Sequence, residues 1–81
     1  MNKIIEALNN GKELTLTYSV GTFWYSDNFK KSKDTFFNTY EWTRLDHHGI
    51  RKRSIAHINV YTLRFAIKQL RRNANCTERI V

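Results

Sequence analysis

Between Glu13 and Val20 the chain alternates, with Leu14, Leu16, Tyr18 and Val20 on one side and Thr15, Thr17 and Ser19 on the other. That period of two predicts a half-buried strand. Ahead of it Met1, Ile4, Ile5 and Leu8 recur at the spacing of one helical stripe, and Gly11 after Asn9-Asn10 supplies a left-handed stop. A helix this short does not hold alone in water, so it must dock on a sheet.

Gly21 punctuates the first strand, and Thr22–Tyr25 reads as a short return strand or an irregular continuation. Ser26–Asp34 is polar and reads as a mobile loop, with Lys30, Lys31 and Lys33 flanked by Asp27 and Asp34. Thr35–Leu45 is dense in aromatic and β-branched residues, the composition of a strand. It sets Phe36, Tyr40 and Trp42 on one face and Phe37, Thr39, Glu41, Thr43 and Leu45 on the other. Asp46-His47-His48-Gly49 predicts a type I turn closing on a glycine. Ile50–Ala56 then returns as a strand, at an edge because of Arg51-Lys52-Arg53. Trp24 and Trp42 are expected in the core, and the threonine-rich sheet face is expected in solvent or under the tail.

Asn59 can cap a final helix. Val60, Leu63, Ala66, Ile67 and Leu70 make its apolar stripe. With Leu63 at zero and about 100° per residue, Arg71, Arg64, Lys68 and Arg72 fall at about 80°, 100°, 140° and 180°. Tyr61 falls among them at about 160°, and Phe65 at their edge at about 200°. Asn73–Val81 has no clear period and reads as a loose tail. The expected architecture is α+β, in the order α-β-β(-β)-α: a small antiparallel sheet of three strands, or four, with a short N-terminal and a longer C-terminal helix. Residues 1–73 are expected to form one compact domain, with 74–81 as the tail.

Composition narrows the class. The 81 residues, 41% hydrophobic and 14% aromatic, can fold but leave no room for a deep substrate pocket beside a complete core. One cysteine, Cys76, cannot close an internal disulfide, and a secreted domain this small would carry several, so the expected compartment is the cytoplasm. The N-terminal apolar run is too short for a signal peptide. No stretch nears the ~20 apolar residues of a membrane span.

Charge changes the picture most. Residues 1–43 hold five basic and five acidic residues; residues 44–81 hold nine basic and two acidic, so the net +7 belongs to the second half. Such asymmetry points to an anionic partner. Arg44, Arg51, Lys52 and Arg53 cluster around one turn, and Arg64, Lys68, Arg71 and Arg72 share a helix face with Tyr61. Cations neutralise phosphates and release counterions, while aromatics beside arginines stack bases or anchor protein contacts. The expected function is a basic, non-enzymatic binding module. Its partner is nucleic acid, or an acidic or nucleic-acid-binding protein surface, met through these nine residues. No cofactor, metal, membrane or small-molecule substrate is expected.

Two other classes stay in view. One is an inhibitor or adaptor of the kind carried by phages and mobile elements, acting by direct binding to a host protein. The other is a metal-independent ribonuclease toxin, with His48, His57 and Lys52 as the acid–base set. The α-β-β-β-α order is similar to that of double-stranded-RNA-binding domains and HicA-type mRNA interferases, and Thr62–Leu70 resembles the last helix of the latter. Asp46-His47-His48 followed by Asn59 resembles the ββα-metal (HNH) nucleases, but the helical histidine ligand of those enzymes has no counterpart here. His47, His48, His57 and Cys76 lack the close spacing of a zinc site.

Overall fold

The computed structural model describes residues 1–33 and 39–81. Its elements run α1 (Asn2–Asn9), β1 (Leu14–Val20), β2 (Phe23–Lys31), β3 (Thr39–Asp46), β4 (Arg51–Asn59), α2 (Val60–Leu70) and β5 (Ala74–Ile80). The strands form one antiparallel sheet in the order β4-β3-β2-β1-β5. The expectation of three or four strands ending on a helix is therefore corrected to five strands in the order α-β-β-β-β-α-β. The start of the strand expected from Thr35, with Phe36 and Phe37, lies outside the described residues.

Two segments account for the correction. Ser26–Lys31 of the expected polar loop instead belongs to β2, paired with β3 throughout and with β1 as far as Phe29, and Asp34 at its end lies outside the described residues. The expected loose tail is β5, paired with β1. Backbone hydrogen bonds in both directions between Glu13 and Val81, each 3.0 Å, close its far end. At its start Asn75 adopts a positive φ of 57° and donates its side-chain amide to Ser19 Oγ at 3.1 Å, next to an irregularity in the β1–β5 register. Only Cys76 in this strand is half-buried; the rest is exposed. An edge strand held by its backbone ladder carries little hydrophobic alternation to read.

The anticipated elements form for the anticipated reasons. Gly11 takes a φ of 87° after α1. Gly21, at φ 61°, opens the two-residue turn between Val20 and Phe23, where a left-handed residue is needed. Asn59 caps α2, accepting from the Thr62 amide at 2.9 Å. The turn before β4 departs from expectation: the left-handed residue is Ile50, with φ 50°, rather than Gly49. A β-branched residue in that region is strained.

Both helices lie on one sheet face. Leu8 of α1 and Leu63 and Ile67 of α2 are buried with Leu14, Leu16 and Phe29 of the sheet. α2 starts beside Thr39, where β4 ends, and stops before Ala74, which pairs with Ser19 at the opposite end of the sheet. It therefore crosses diagonally, from the β4 edge to the β5 edge. Among the described residues, no helix is long and apolar enough to cross a membrane.

One side chain on this face breaks the apolar pattern. Asp27 stands on β2, between Leu16 on β1 and Arg44 on β3, and has no exposed surface. Its carboxylate accepts from Tyr18 Oη at 2.9 Å, Trp42 Nε1 at 2.8 Å, and Arg44 Nε and Nη2 at 2.9 and 3.0 Å. A buried carboxylate is tolerable when paired and fully hydrogen-bonded in this way. Among the described residues no buried side-chain polar atom lacks a partner.

Removing either end of that pair strands the other. Asp27→Ala and Arg44→Ala should each destabilise by about 3–5 kcal/mol. The double variant should cost clearly less than their sum. Urea denaturation followed by circular dichroism measures all three; additive losses would dissolve the proposed coupling.

The same cluster sets an alkaline limit. Burial, and then the negative charge of Asp27, push the Tyr18 hydroxyl well above the ordinary tyrosine range. Above a pH of about 10 the unfolded chain has released this proton while the folded chain keeps it. The unfolded state then binds fewer protons, so stability falls as pH rises. At neutral pH Tyr18→Phe should cost about 1 kcal/mol. That difference from wild type should shrink above about pH 10, as read from urea midpoints at neutral and alkaline pH. A constant difference would place the alkaline loss elsewhere.

Candidate functional site

The register stacks the helix-side face into rungs. One runs Leu14, Phe29, Trp42 and Ala56; the next Leu16, Asp27, Arg44 and Arg53; the next Tyr18, Tyr25, Asp46 and Arg51. The first is packed against the core. The other two end in a cleft of about 210 Å³, lined by Tyr25, Arg44, Asp46, Arg51 and Arg53. The two hairpin tips beside it are tied together. The His47 amide donates to the Trp24 carbonyl at 3.1 Å, and His47 Nε2 meets Ser26 Oγ at 2.7 Å.

The arginines of this cleft are not equivalent. Arg44 is clamped by Asp27, and that bond raises its guanidinium further above its ordinary value. Its guanidinium also lies 5.8 Å from the centres of both the Tyr25 and Trp42 rings. Arg53 faces Arg44 directly across the strands, a like-charge pairing that costs stability. Asp46 faces Arg51, yet its Oδ1 accepts the His48 amide at 2.9 Å to close the turn. Among the described residues neither Arg51 nor Arg53 has an ion-pair partner. The cleft thus presents two guanidiniums without an ion-pair partner, beside a third held rigid and the Asp46 carboxylate.

Sequence proximity had grouped Lys52 with these arginines, but strand alternation separates it. Lys52 pairs with Leu45 and lies on the opposite, helix-free face, in a shallow trough with Thr15, Ser26, Asn28 and Thr43. The threonine-rich face is not covered by the C-terminal segment, which joins the sheet in plane as β5.

The helical cations form a second group. Arg64, Phe65, Lys68 and Arg71 line a groove of about 500 Å³ with Met1, a set sharing no residue with the cleft. Arg71 is engaged by both carboxylate oxygens of Glu78 on β5, and Arg64 Nη2 donates to Asn2 at 3.3 Å. Lys68 and Arg72 have no ion-pair partner among the described residues. Tyr61, expected outside the apolar stripe, is 79% exposed, and Phe65 is 63% exposed. Arg51 lies eight positions before Asn59, the α2 cap, so the cleft end of β4 and the start of α2 stand roughly 25 Å apart along the strand.

One residue that sequence reasoning passed over belongs beside the cleft. Phe23, on the same side of β2 as Tyr25, is 46% exposed, with its ring edge-on to His48 at 5.4 Å. Trp24, expected in the core, is 42% exposed. Trp42 does pack against the core, stacked on Phe29 at 5.5 Å. A signal was present for Phe23: it follows the Gly21 turn immediately, where a strand has little core beneath it.

The acid–base set considered for ribonuclease chemistry is dispersed. His48 is in the turn; His57 faces Glu41 near the other end of β4, with its Nδ1 against Ser32 Oγ at 3.2 Å. Lys52 pairs four positions along β3, at Leu45, roughly 13 Å from that rung. Among the described residues, no group of three or more His, Cys, Asp or Glu is placed to hold a metal ion. Compared with known proteins, the chain matches no family model, no curated protein and no solved structure.

If Arg53 opposes Arg44 at a cost, removing it should stabilise the fold. Arg53→Thr should gain a few tenths to about 1 kcal/mol at low ionic strength. The gain should fade as salt screens the pair. Thermal melts across a salt series test this, and a loss of stability at low salt would mean that Arg53 is itself structural.

Proposed function

We propose that this chain is a non-enzymatic nucleic-acid-binding module that works chiefly through the arginine-lined cleft of β3 and β4. The observation that carries the reading is the cross-strand juxtaposition of Arg44 and Arg53, with Arg51 one rung away and no carboxylate pairing Arg51 or Arg53 among the described residues. A fold gains nothing from such crowding by itself; a phosphate seated there relieves it. Lys52, Lys68, Arg64 and Arg72 extend the positive field, and Arg44 and Arg71 contribute less because Asp27 and Glu78 already neutralise them. A cytoplasmic site of action is part of the same proposal.

A specific observation favours a second reading. The groove beside α2 combines Phe65 and Met1 with Arg64, Lys68 and the Glu78-paired Arg71, the mixture of an interface hot spot. An acidic protein surface would fit it, as an inhibitor or adaptor requires.

Salt separates the two. If about five phosphates are neutralised, log Kobs against log[salt] should slope near −3.5 on single strands and near −4.5 on duplex. Arg51→Gln with Arg53→Gln should lower the affinity for every sequence tested and flatten the slope by about one to two. Fluorescence anisotropy on labelled oligonucleotides reads both. No binding at low salt, together with a protein partner retained through nuclease treatment and moderate salt, would replace the first reading by the second.

A further inference from the structure

The same end of the sheet brings aromatic rings to its arginines, and this bears on which form of nucleic acid it holds. Phe23 stands at the tip of β2 on the same side as Tyr25, its ring meets His48 across the tips, and Arg51 and Arg53 lie on the same sheet face one strand beyond β3. The ties between His47 and both Trp24 and Ser26 fix the two tips as one surface. Ile50, 83% exposed, projects from the same turn in its left-handed conformation.

Cations alone are sufficient for a duplex, whose phosphates line its outside while its bases are stacked within. An exposed ring gains nothing from a stacked base pair unless the pair is opened. Unpaired bases offer free faces, and aromatic platforms beside a basic track are how single strands are held. The cleft is also confined, at about 210 Å³, room for a phosphate and part of one nucleotide rather than a groove that follows a rigid helix.

We propose that this end of the sheet binds single-stranded nucleic acid in preference to duplex, with Arg51 and Arg53 on adjacent phosphates and the Phe23 ring stacked on an unpaired base. The inference rests on the nucleic-acid reading above and narrows it to one class of ligand. Tyr25, already facing the Arg44 guanidinium, serves as the inner wall of the seat.

The test compares one labelled mixed-sequence strand with the same strand annealed to its complement, as DNA and as RNA, by fluorescence anisotropy at fixed salt. At least one single strand should bind about tenfold or more tighter than its duplex. Phe23→Ala should lose roughly five- to 150-fold on the single strand, the range for one stacked base, and change duplex binding little. Arg53→Gln should weaken both forms alike. Should Phe23→Ala fold poorly, Phe23→Leu removes the ring while keeping apolar bulk, and Phe23→Tyr should restore binding. Duplexes bound as tightly as single strands would overturn the preference while leaving the nucleic-acid reading intact, as would a Phe23→Ala loss equal on both forms. Binding of neither form would overturn both.

Discussion

Asp27 is a carboxylate in the interior of a sheet, and the arrangement of this fold follows from how it is satisfied. Four donors from the two flanking strands meet it: Tyr18 on β1, and Trp42 Nε1 with Arg44 Nε and Nη2 on β3. Those bonds run across the sheet, so they lock the register of β1, β2 and β3 more firmly than apolar contacts would, because a one-residue slip turns every side chain to the other face. They also fix where the apolar core stops. On one side of Asp27 lies the rung of Leu14, Phe29 and Trp42; on the other lie Tyr25, Asp46 and Arg51. Toward β3 and β4 the carboxylate marks the border between the packed rung and the open cleft, while toward β1 the face stays covered and Tyr18 is buried.

This border explains which parts of the fold were legible in the sequence. α1, β1 and α2 announce themselves through hydrophobic periodicity, and Asn59 and Gly11 through the special chemistry of helix ends. β2 does not, since the position where alternation calls for an apolar residue holds Asp27. Read alone, Ser26-Asp27-Asn28 has the composition of a loop; only the donors from elsewhere in the chain make a strand of it. β5 is silent for another reason. As an edge strand with most side chains in solvent, it depends on backbone pairing and on the Arg71–Glu78 pair, neither of which leaves a pattern in hydrophobicity.

The candidate site was half legible on similar grounds. Net charge located the basic half of the chain, and the helical wheel placed Tyr61, Arg64 and Lys68 in solvent. What the sequence could not show was the partition of those charges. Lys52 leaves its neighbours because a strand alternates its faces. Arg44 and Arg71 leave the pool of free cations because their partners, Asp27 and Glu78, lie 17 and 7 residues away in sequence. Phe23 joins the surface because the sheet outruns the helices that cover it, and Trp24 because alternation turns it to the helix-free face.

The partition also assigns different work to the two groups of cations. Arg51 and Arg53 are carried by a strand whose neighbours on β3 are pinned through Arg44 to the core, so their backbone positions are set before any ligand arrives. Preorganisation of that kind lowers the ordering cost of binding and favours contacts that discriminate between ligands. Lys68 and Arg72 project from a solvent-exposed helix face on long flexible stems, a geometry that contributes a field more than a fit. On the proposed reading, a ligand drawn in by the whole positive surface is sorted at the sheet end, where arginines on a fixed backbone and exposed rings coincide. The buried carboxylate that ties β1, β2 and β3 together is the same group that holds Arg44 in place beside them.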